Sequence, residues 1–382
     1  MKKVVLITNI PNPYRIPLFN VLEELLAARE ISFKVIFGAP GYSRRMFQID
    51  ENEMKFKFRI LDDRGHTFSE DGEKTVFMYR GLGAALQEEK PDLIIVSGFS
   101  PATVKVYFRK LTKGTPFIIW NGTIPRKTDN KFSLRKIQRS FLCRQASAFV
   151  AYGNLAAEYL VRSGASPNSV FVATNTVDTG FFSRETELRR KMNESLPVSD
   201  PIFLVLGYLV PRKQISHLIE CVKIMAQKRT DFRVAILGDG ISKESLIEMV
   251  KANGLERMVT FYGFVQKKDL PDWFARCRAL LFQTGYDIWG LVANEAMAAS
   301  VPVVSSLNAG STHDLITDHE TGFRVRFENH AETAAVIEWL IDHPAEAVAM
   351  GRKASNYIQH HASLRMSAAG FVDAIQFALK QK

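Results

Sequence analysis

Short apolar runs alternate with longer amphipathic stretches through the first half of the chain. The apolar runs predict buried strands at Val4–Thr8, Phe33–Phe37, Asp92–Ser97, Phe117–Trp120, Ala148–Ala151 and Val170–Ala173. Between them, helical patterns of apolar and polar residues occur at Pro17–Ala28, Gly81–Glu89, Thr103–Leu111 and Asn154–Arg162. Strands buried on both faces read as continuous apolar runs, so this alternation indicates a parallel sheet covered by helices on both sides.

The same alternation restarts near residue 200. Its strands are predicted at Ile202–Gly207, Arg233–Leu237, Ala279–Phe282, Pro302–Ser305 and Glu320–Val325, with a strand and turn at Val259–Val265. A chain of 382 residues is too long for one typical core, and two α/β domains are the natural expectation. Residues 41–80 interrupt the alternation of the first half. Two readings of this insertion stay open, a flexible substrate loop or a small hairpin excursion.

Positive charge is concentrated in one part of the first half. The net charge is +10, and residues 101–150 hold eleven Lys or Arg against one acid, Asp129. In the segment Arg126–Arg144, apolar Leu134, Ile137 and Phe141 recur at helical spacing among basic residues. Such a helix either lies on an anionic membrane surface or packs its apolar side on the core. Nucleic acid is not expected as a partner, because no recognition module accompanies the basic patch.

The cysteines and the hydropathy pattern bear on the compartment. Cys143, Cys221 and Cys277 are odd in number and far apart, which favours a reducing environment. No apolar run approaches the roughly 18 residues of a membrane span. The start of the chain reads as a first buried strand rather than a signal peptide. We therefore expect a cytoplasmic protein, peripheral on the inner face of the membrane if the basic helix binds lipid.

The stretch that follows the predicted strand Ala279–Phe282 carries the strongest chemical signal. Gly290 opens a helix at the carboxyl end of that strand, the edge at which open α/β sheets bind ligands. The first amides of this helix, at Gly290, Leu291 and Val292, form a ready anion site. Asp287 precedes the helix and Glu295 lies within it, eight residues on. A nucleotide-sugar suits this pattern, with its diphosphate on the amides and its hydroxyls on the carboxylates.

Two cations follow another strand of the second half. Arg212 and Lys213 stand just before a predicted helix, where the helix dipole disfavours positive charge. A bound diphosphate would explain why they are there. The neighbouring strands end in Gly238-Asp239-Gly240 and in Gly263-Phe264-Val265, which are also glycine-containing turns. All four groups are expected at one edge of one sheet.

The order and spacing of these groups resemble the retaining, GT-B-fold family 4 glycosyltransferases. Asp287 and Glu295 are similar to the family's acidic–x7–acidic motif, and Gly207…Lys213 to its Gly-x-Leu-x-x-x-Lys-Gly segment. The resemblance is specific over residues 200–326 and holds only in outline before them. This chain departs from the pattern with Asp287 for Glu, and with Gln214 and Ser300 each for Gly.

The resemblance implies two doubly wound parallel-sheet domains that face each other across a cleft. The implied divisions are an N-terminal acceptor domain at 1–180, a linker at 181–200, a donor domain at 201–355 and a C-terminal helix at 356–382 that packs back on the first domain. It also implies roles for residues of the second half. Arg212 and Lys213 would neutralise the leaving diphosphate, Asp287 would hold the sugar hydroxyls and Glu295 the ribose. The other implied donor-binding residues are Gly207, Gly238, Gly263, Phe264, Val265, Gly290, Leu291 and Val292.

The first half carries fewer recognisable groups. Its first strand leads into Asn12-Pro13-Tyr14-Arg15, where many relatives have a Gly-Gly loop, and it resembles the branch with a Pro-Tyr-Arg entry to the first helix. Asn121 and Thr123 end another strand near the place where many relatives carry a His. These two residues, with Asn12, Tyr14 and Arg15, are the expected acceptor or cleft residues.

We therefore expect transfer of a sugar from a nucleotide diphosphate-sugar to a glycan or lipid-linked acceptor, with retention and without a metal or other cofactor. The only histidine in the first half is His66, so an obvious base for an inverting mechanism is lacking. Two alternatives stay open: a nucleotide-sugar epimerase on the same fold, and a non-catalytic nucleotide-sugar-binding partner in polysaccharide assembly. The sequence does not name the sugar, the base, the acceptor, the linkage or the oligomeric state.

Overall fold

The computed structural model describes residues 1–41, 49–63, 65–69, 75–125, 133–193 and 200–381. The chain divides into two compact units. One unit comprises Met1–Val177 with Leu364–Lys382, and the other comprises Asp178–Ser363. Each unit is built on its own parallel sheet.

The first unit is an α/β layer structure around a seven-stranded sheet. Its strands, with a small hairpin, are β1 (Lys2–Thr8), β2 (Ile31–Phe37), β3 (Lys57–Ile60), β4 (His66–Thr67), β5 (Thr75–Val76), β6 (Leu93–Ser97), β7 (Phe117–Asn121), β8 (Ala148–Ala151) and β9 (Val170–Val172). The helices that follow them are α1 (Ile16–Ala27), α2 (Leu82–Glu89), α3 (Pro101–Lys113), α4 (Leu134–Gln145) and α5 (Asn154–Arg162). The strand order is β3-β2-β1-β6-β7-β8-β9, so the order reverses between β1 and β6.

The second unit repeats this plan with a six-stranded sheet. Its strands are β10 (Ile202–Leu206), β11 (Arg233–Leu237), β12 (Val259–Gly263), β13 (Cys277–Phe282), β14 (Val303–Ser306) and β15 (Gly322–Val325). Its helices are α6 (Thr179–Asn193), α7 (Ile215–Ala226), α8 (Lys243–Ala252), α9 (Leu270–Arg276), α10 (Leu291–Ala298), α11 (Gly310–Leu315), α12 (His330–Asp342) and α13 (Pro344–His361). The order β12-β11-β10-β13-β14-β15 reverses between β10 and β13, where doubly wound sheets bind their ligands.

The strands form because their side chains are apolar on both faces. Val4, Leu6, Ile94 and Ile118 are fully buried in the first sheet, and β1 pairs in parallel with both β2 and β6. The central strands of the second sheet are similarly buried, with Phe203 at 0% exposure. The predicted parallel sheets are therefore confirmed.

The last helix, α14 (Leu364–Lys380), belongs to the first unit. Phe371 of this helix meets the Trp120 ring at 5.1 Å, and Phe377 meets Phe171 at 5.4 Å. Gly370 allows the approach, because a Cβ there would lie 2.4 Å from the Val172 carbonyl oxygen. The predicted return of the C-terminal helix to the first domain is confirmed.

The divisions of the chain differ from those expected. Residues 181–193, expected in a linker, lie in α6, which is part of the second unit. Phe182 is buried there against Phe274 with ring centroids 6.0 Å apart, and Arg190 donates to the Ala299 carbonyl at 2.8 Å. These contacts attach the segment to the second unit. The return to the first unit occurs at residue 364 rather than 356, because α13 runs unbroken to His361.

The insertion at 41–80 combines an edge strand with a hairpin in its described part. Strand β3 pairs with β2 in parallel and extends the main sheet. Strands β4 and β5 pair antiparallel, with His66 opposite Val76. Of the two open readings, this geometry matches the hairpin. Residues 42–48, 64 and 70–74 of the insertion lie outside the described part.

The basic segment also falls partly outside it, since residues 126–132 are not described. The remainder forms α4, which buries Leu142 and Cys143. It leaves Leu134 at 81%, Ile137 at 52% and Phe141 at 44% exposure. Core packing therefore accounts for only part of the apolar side of α4. No helix among the described residues has the length and apolar character that crossing a membrane requires.

Ser300 adopts a left-handed backbone conformation with φ +56°. It follows α10, and the Val301 amide reaches back to the Ala296 carbonyl at 2.9 Å, which closes the end of the helix. A left-handed conformation costs a residue with a side chain roughly 1–2 kcal/mol, and glycine avoids that cost. This is the physical reason for a glycine at this place in the family pattern.

We expect Ser300→Gly to raise the free energy of unfolding by up to about 1 kcal/mol, since the relief of strain exceeds the extra chain entropy of glycine. Urea unfolding followed by circular dichroism measures it. Ser242→Gly is the matched control, because Ser242 has φ −90° and its side chain makes no capping bond. The control should lower stability slightly. A loss of stability in Ser300→Gly as large as in the control would contradict the assignment of strain.

Candidate functional site

Glycines tie together three loops at the carboxyl edge of the second sheet. The Gly207 amide donates to the Leu237 carbonyl at 3.0 Å, and the Gly238 amide donates to the Gly263 carbonyl at 2.7 Å. A Cβ at Gly238 would lie 1.8 Å from the Gly207 oxygen, a distance that no side chain tolerates. Similarly, a Cβ at Gly240 would lie 2.4 Å from the Leu209 oxygen. The glycines at this edge are therefore needed because they let the backbones of neighbouring loops approach each other closely.

Arg212 and Lys213 lie in a short helical turn, Pro211–Lys213, directly after β10. Gln214 then adopts a left-handed conformation with φ +49° before α7 begins. Glycine suits that conformation, which explains the glycine of the family pattern. The Gln214 side chain fills the space that Gly285 leaves open, where a Cβ would lie 2.4 Å from its Oε1 atom. The departure at position 214 is therefore accommodated by packing.

Backbone and side-chain bonds join this turn to the loop after β13. The Gly285 amide donates to the Arg212 carbonyl at 2.9 Å, and Gln283 Nε2 donates to the Gln214 carbonyl at 3.1 Å. The Arg212 guanidinium also donates to the Tyr286 carbonyl. Strands β10 and β13 are the neighbours between which the strand order reverses. The two loops are thus held together at the expected ligand edge.

Asp287 is the anion between the two cations. Lys213 Nζ lies 2.8 Å from Asp287 Oδ2, and Arg212 Nη1 lies 3.6 Å from the same oxygen. The Trp289 amide donates to the other carboxylate oxygen, Oδ1, at 3.2 Å. Lys213 is only 9% exposed and its ammonium lies 5.1 Å from the centre of the Phe282 ring. Three of the residues predicted to share one site are therefore in direct contact.

The charges of this cluster control its ionisation. Burial opposes ionisation of Asp287, but Lys213, Arg212 and the Trp289 amide together hold the pKa of its carboxyl below the usual range. Asp287 is therefore ionised at neutral pH. Two cations and one anion leave one net positive charge in a partly buried place, which favours an anionic ligand.

Helix α10 begins beside this cluster. Its N-cap residue Gly290 has φ +96°, and a Cβ there would lie 2.0 Å from the Phe282 ring. The Gly290 carbonyl accepts the first helical bond from the Ala293 amide at 3.1 Å. The amides of Leu291 and Val292 come before that bond and have no acceptor within the helix. They form the predicted amide row at the end of β13.

Glu295 occupies the next turn of α10. Burial raises the pKa of its carboxyl to about 7, and the nearby charge of Lys267 lowers it in part. Sequence reasoning missed Lys267, which begins a short turn after β12. The sequence does contain a signal for it, since two consecutive lysines begin two residues after Val265, at the same edge of the sheet. Phe264 and Val265 are partly exposed there, directly after Gly263.

The first unit gathers its predicted residues at the carboxyl edge of its own sheet. Arg15 Nη1 donates to Thr8 Oγ1 at 3.2 Å, and Arg15 Nη2 donates to the Tyr152 hydroxyl. The Arg15 guanidinium lies 4.3 Å from the Trp120 ring centre and 5.9 Å from that of Tyr14. Sequence reasoning missed Tyr152, which follows β8 and brings a third strand end to this cluster, after those of β1 and β7.

The remaining predicted residues of the first unit lie in two loops. Asn121 ends β7 and accepts a hydrogen bond from Thr123 Oγ1 at 3.0 Å. Asn12 is 3% exposed, and its Oδ1 has no partner among the described residues. The residues named from the sequence are therefore divided between the two units, and Arg212, Lys213 and Asp287 are the ones in direct contact. Within the described part of the chain, no three His, Cys, Asp or Glu side chains are grouped as metal ligands would be.

A family model described as glycosyl transferases group 1 matches residues 187–357. This range contains both the cationic turn and α10. The chain is similar to a D-inositol 3-phosphate glycosyltransferase of Arthrobacter sp. (strain FB24), with 29% identity over 53% of this chain and 49% of the relative. It is also similar to a GDP-mannose-dependent alpha-(1-6)-phosphatidylinositol monomannoside mannosyltransferase of Mycolicibacterium smegmatis, with 34% identity over 46% of this chain and 48% of the relative. The chain thus spans about half the length of these curated relatives.

The fold is shared over almost the whole chain. The structure of Anabaena Alr3699/HepE in complex with UDP matches 98% of this chain and 100% of its own, with a TM-score of 0.75 and 17% identity. The likeness of fold confirms the predicted GT-B class. The region matched by the family model lies within the second unit, where the motif resemblance is specific.

We expect Glu295→Gln to raise the free energy of unfolding at pH 8 by up to about 3 kcal/mol, the cost of ionising a carboxyl whose pKa is raised by about 2.5 units. A raised pKa stabilises the protonated form, so this contribution is present below the ordinary pKa and is lost as the pH rises through about 7. Unfolding at pH 5, 6, 7 and 8 measures the difference between variant and parent.

Glu248→Gln serves as the control, since this residue lies on α8 of the same unit. The change between pH 5 and pH 8 should be larger for Glu295→Gln than for Glu248→Gln. A difference between Glu295→Gln and the parent that stays constant across this range would contradict the raised pKa.

Proposed function

We propose that this protein transfers a sugar from a nucleoside diphosphate-sugar to an acceptor hydroxyl, with retention of configuration and without a metal. The observation that carries the proposal is the cluster of Arg212, Lys213 and Asp287 beside the start of α10. The family model that matches this region and the relatives named as glycosyltransferases support it. The sugar donor is therefore assigned to the second unit.

The two cations act on the diphosphate that departs. Lys213 has three N–H donors and directs one to Asp287, so others are free to meet phosphate oxygens. Negative charge grows on the diphosphate as its bond to the sugar breaks, and donors fixed in a partly buried place stabilise that charge. The amides of Leu291 and Val292 assist at the helix start. This electrostatic work is what a metal ion supplies in other enzymes, which is our reason to propose metal independence.

Asp287 and Glu295 orient the rest of the donor. Asp287 accepts hydrogen bonds from hydroxyl groups of the sugar. Through its ion pair with Lys213 it also holds the Lys213 ammonium in place. Glu295 accepts hydrogen bonds from the ribose hydroxyls. An ionised carboxylate is a better hydrogen-bond acceptor than a protonated one. The turn Gly263–Val265 contacts the nucleotide base. These roles follow the residue order that the resemblance implies.

Retention follows from the use of the leaving group as the base. The acceptor oxygen approaches the anomeric carbon from the face that the diphosphate leaves, the new C–O bond forms, and the old C–O electron pair remains on the diphosphate. The acceptor hydroxyl proton moves to a phosphate oxygen. No side chain of this protein then has to deprotonate the acceptor. The acceptor is a glycan or a lipid-linked glycan, held by the first unit through Asn12, Tyr14, Arg15, Asn121 and Thr123.

We further propose that the first unit docks on an anionic membrane surface and that the protein acts at the cytoplasmic face. Helix α4 exposes Leu134, Ile137 and Phe141, and α3 exposes Phe108 at 58% and Leu111 at 60%. Tyr107 of α3 contacts the Phe141 ring at 5.1 Å, which joins the two helices. Exposed basic residues, Lys113, Arg135 and Arg144, lie on the same two helices. Apolar side chains among cations suit an interface of anionic lipid.

Lys213→Ala should lower kcat by about a hundredfold or more, because one such contact to developing charge is worth roughly 3 kcal/mol. The release of nucleoside diphosphate measures it, with the donor chosen from a panel of nucleotide-sugars by thermal stabilisation. The control is Lys251→Ala, at the exposed end of α8 in the same unit, which should keep kcat. Near-normal turnover by Lys213→Ala would contradict the proposed role.

The same assay separates the alternatives. Nuclear magnetic resonance of the product should show the anomeric configuration of the donor, and an inverted product would overturn retention. An isomerised sugar formed without acceptor would indicate an epimerase. Donor binding without turnover across the acceptor panel would indicate a non-catalytic partner.

Ile137→Glu should weaken binding to vesicles that contain anionic lipid by about tenfold, since it places a charge where an apolar side chain would be buried. Co-sedimentation with vesicles measures the bound fraction, and neutral vesicles should retain less of the parent protein. Leu188→Glu is the control, because Leu188 is also half exposed but lies on α6 of the second unit. Equal binding by parent and Ile137→Glu would contradict docking through this face.

A further inference from the structure

The first unit contains a fixed cation that the transfer step described above does not use. Arg15 lies at the start of α1, where the dipole of the helix disfavours positive charge. Among the described residues no carboxylate lies within ion-pair distance of its guanidinium, and its neighbours are two hydroxyls and three aromatic rings. An anionic ligand would compensate this charge.

The guanidinium is held in one orientation by side chains from three strand ends. Thr8 ends β1, Trp120 lies near the end of β7, and Tyr152 follows β8. Arg15 bonds to the first and the last of these and lies flat enough for a cation–π contact with Trp120 at 4.3 Å. Gly122 permits the arrangement, because a Cβ there would lie 2.4 Å from the Tyr152 ring. A fixed planar guanidinium is suited to phosphate or carboxylate recognition.

One donor of this guanidinium is buried and has no acceptor among the described residues. It is Arg15 Nε, beside the Trp120 ring. A buried donor without an acceptor is unfavourable. Asn121 follows Trp120 in β7, and adjacent side chains of a strand point to opposite faces, so only Arg15 is assigned to this place.

We infer that Arg15 forms an anion subsite for the acceptor, and that the acceptor of this protein carries a phosphate or carboxylate group. The anion would supply the compensating charge. This inference rests on the proposed function, in which the first unit takes the acceptor and Arg212 with Lys213 takes the donor diphosphate. It adds a class of acceptor that the transfer step itself does not require.

The test uses the full chain with the donor site filled. Inorganic phosphate and, separately, acetate are titrated at constant ionic strength in the presence of saturating nucleoside diphosphate, and tryptophan fluorescence is recorded, since Trp120 lies against Arg15. The parent protein should bind at least one of the two anions. Arg15→Gln should weaken that binding by about tenfold or more, and Arg15→Lys, which keeps the charge but not the fork, by a smaller factor.

Arg29→Gln is the matched control, since Arg29 follows α1 in the same unit and is exposed. It should bind the anion as the parent does. A circular dichroism spectrum and a thermal unfolding midpoint equal to those of the parent show that Arg15→Gln is folded. Whichever of phosphate and acetate binds more tightly identifies the anionic group of the acceptor.

Three results would overturn the inference: no anion binding to the parent, equal binding to Arg15→Gln, or complete displacement of the anion by nucleoside diphosphate. The last would place the anion in the donor site. Failure of the proposed function has a different signature, because the nucleoside diphosphate itself would then not bind.

Discussion

The ionic contact between Lys213 and Asp287 is the interaction on which the second unit's site depends. It joins the loops after β10 and β13 at the place where the strand order reverses, and it fixes an ammonium that would otherwise be a flexible point charge. Removing Asp287 would leave two partly buried cations without their anion, at a cost of roughly 3–5 kcal/mol, whereas removing Lys213 would leave Asp287 with Arg212 and the Trp289 amide. The aspartate at position 287 is shorter than the glutamate of the family pattern. Its carboxylate is held in place by a hydrogen bond from the Trp289 amide as well as by Lys213.

Glycines around this contact allow a close approach of the backbone because they have no side chain. Gly238, Gly240 and Gly290 each stand where a Cβ would collide with backbone or with the Phe282 ring. Their absence of side chains lets three strand ends converge and exposes the first amides of α10. The site is therefore a property of the sheet edge, and Arg212 and Lys213 complete it with charge. The first unit has an analogous edge, at which Thr8, Trp120 and Tyr152 hold Arg15.

Sequence patterns predicted the elements well because both sheets are buried on two faces. Continuous apolar runs such as Val4–Ile7 have no other common explanation, and the glycine-ended strands indicated the ligand edge. Contacts that depend on the fold were less accessible. Tyr152 reaches Arg15 across 137 positions of the chain, and Lys267 faces Glu295 from another strand end. The expected linker at 181–200 belongs instead to the second unit, which begins at Asp178. The reason is that Phe182, within an otherwise charged helix, packs against Phe274.

The central claim is that the second unit binds a diphosphate through its cationic pair. The most direct measurement is calorimetry of a nucleoside and its diphosphate on the parent and on Arg212→Ala/Lys213→Ala. The parent should bind the diphosphate about a hundredfold or more tightly than the nucleoside, and the double variant should lose most of that preference. An equal preference in the two proteins would contradict it.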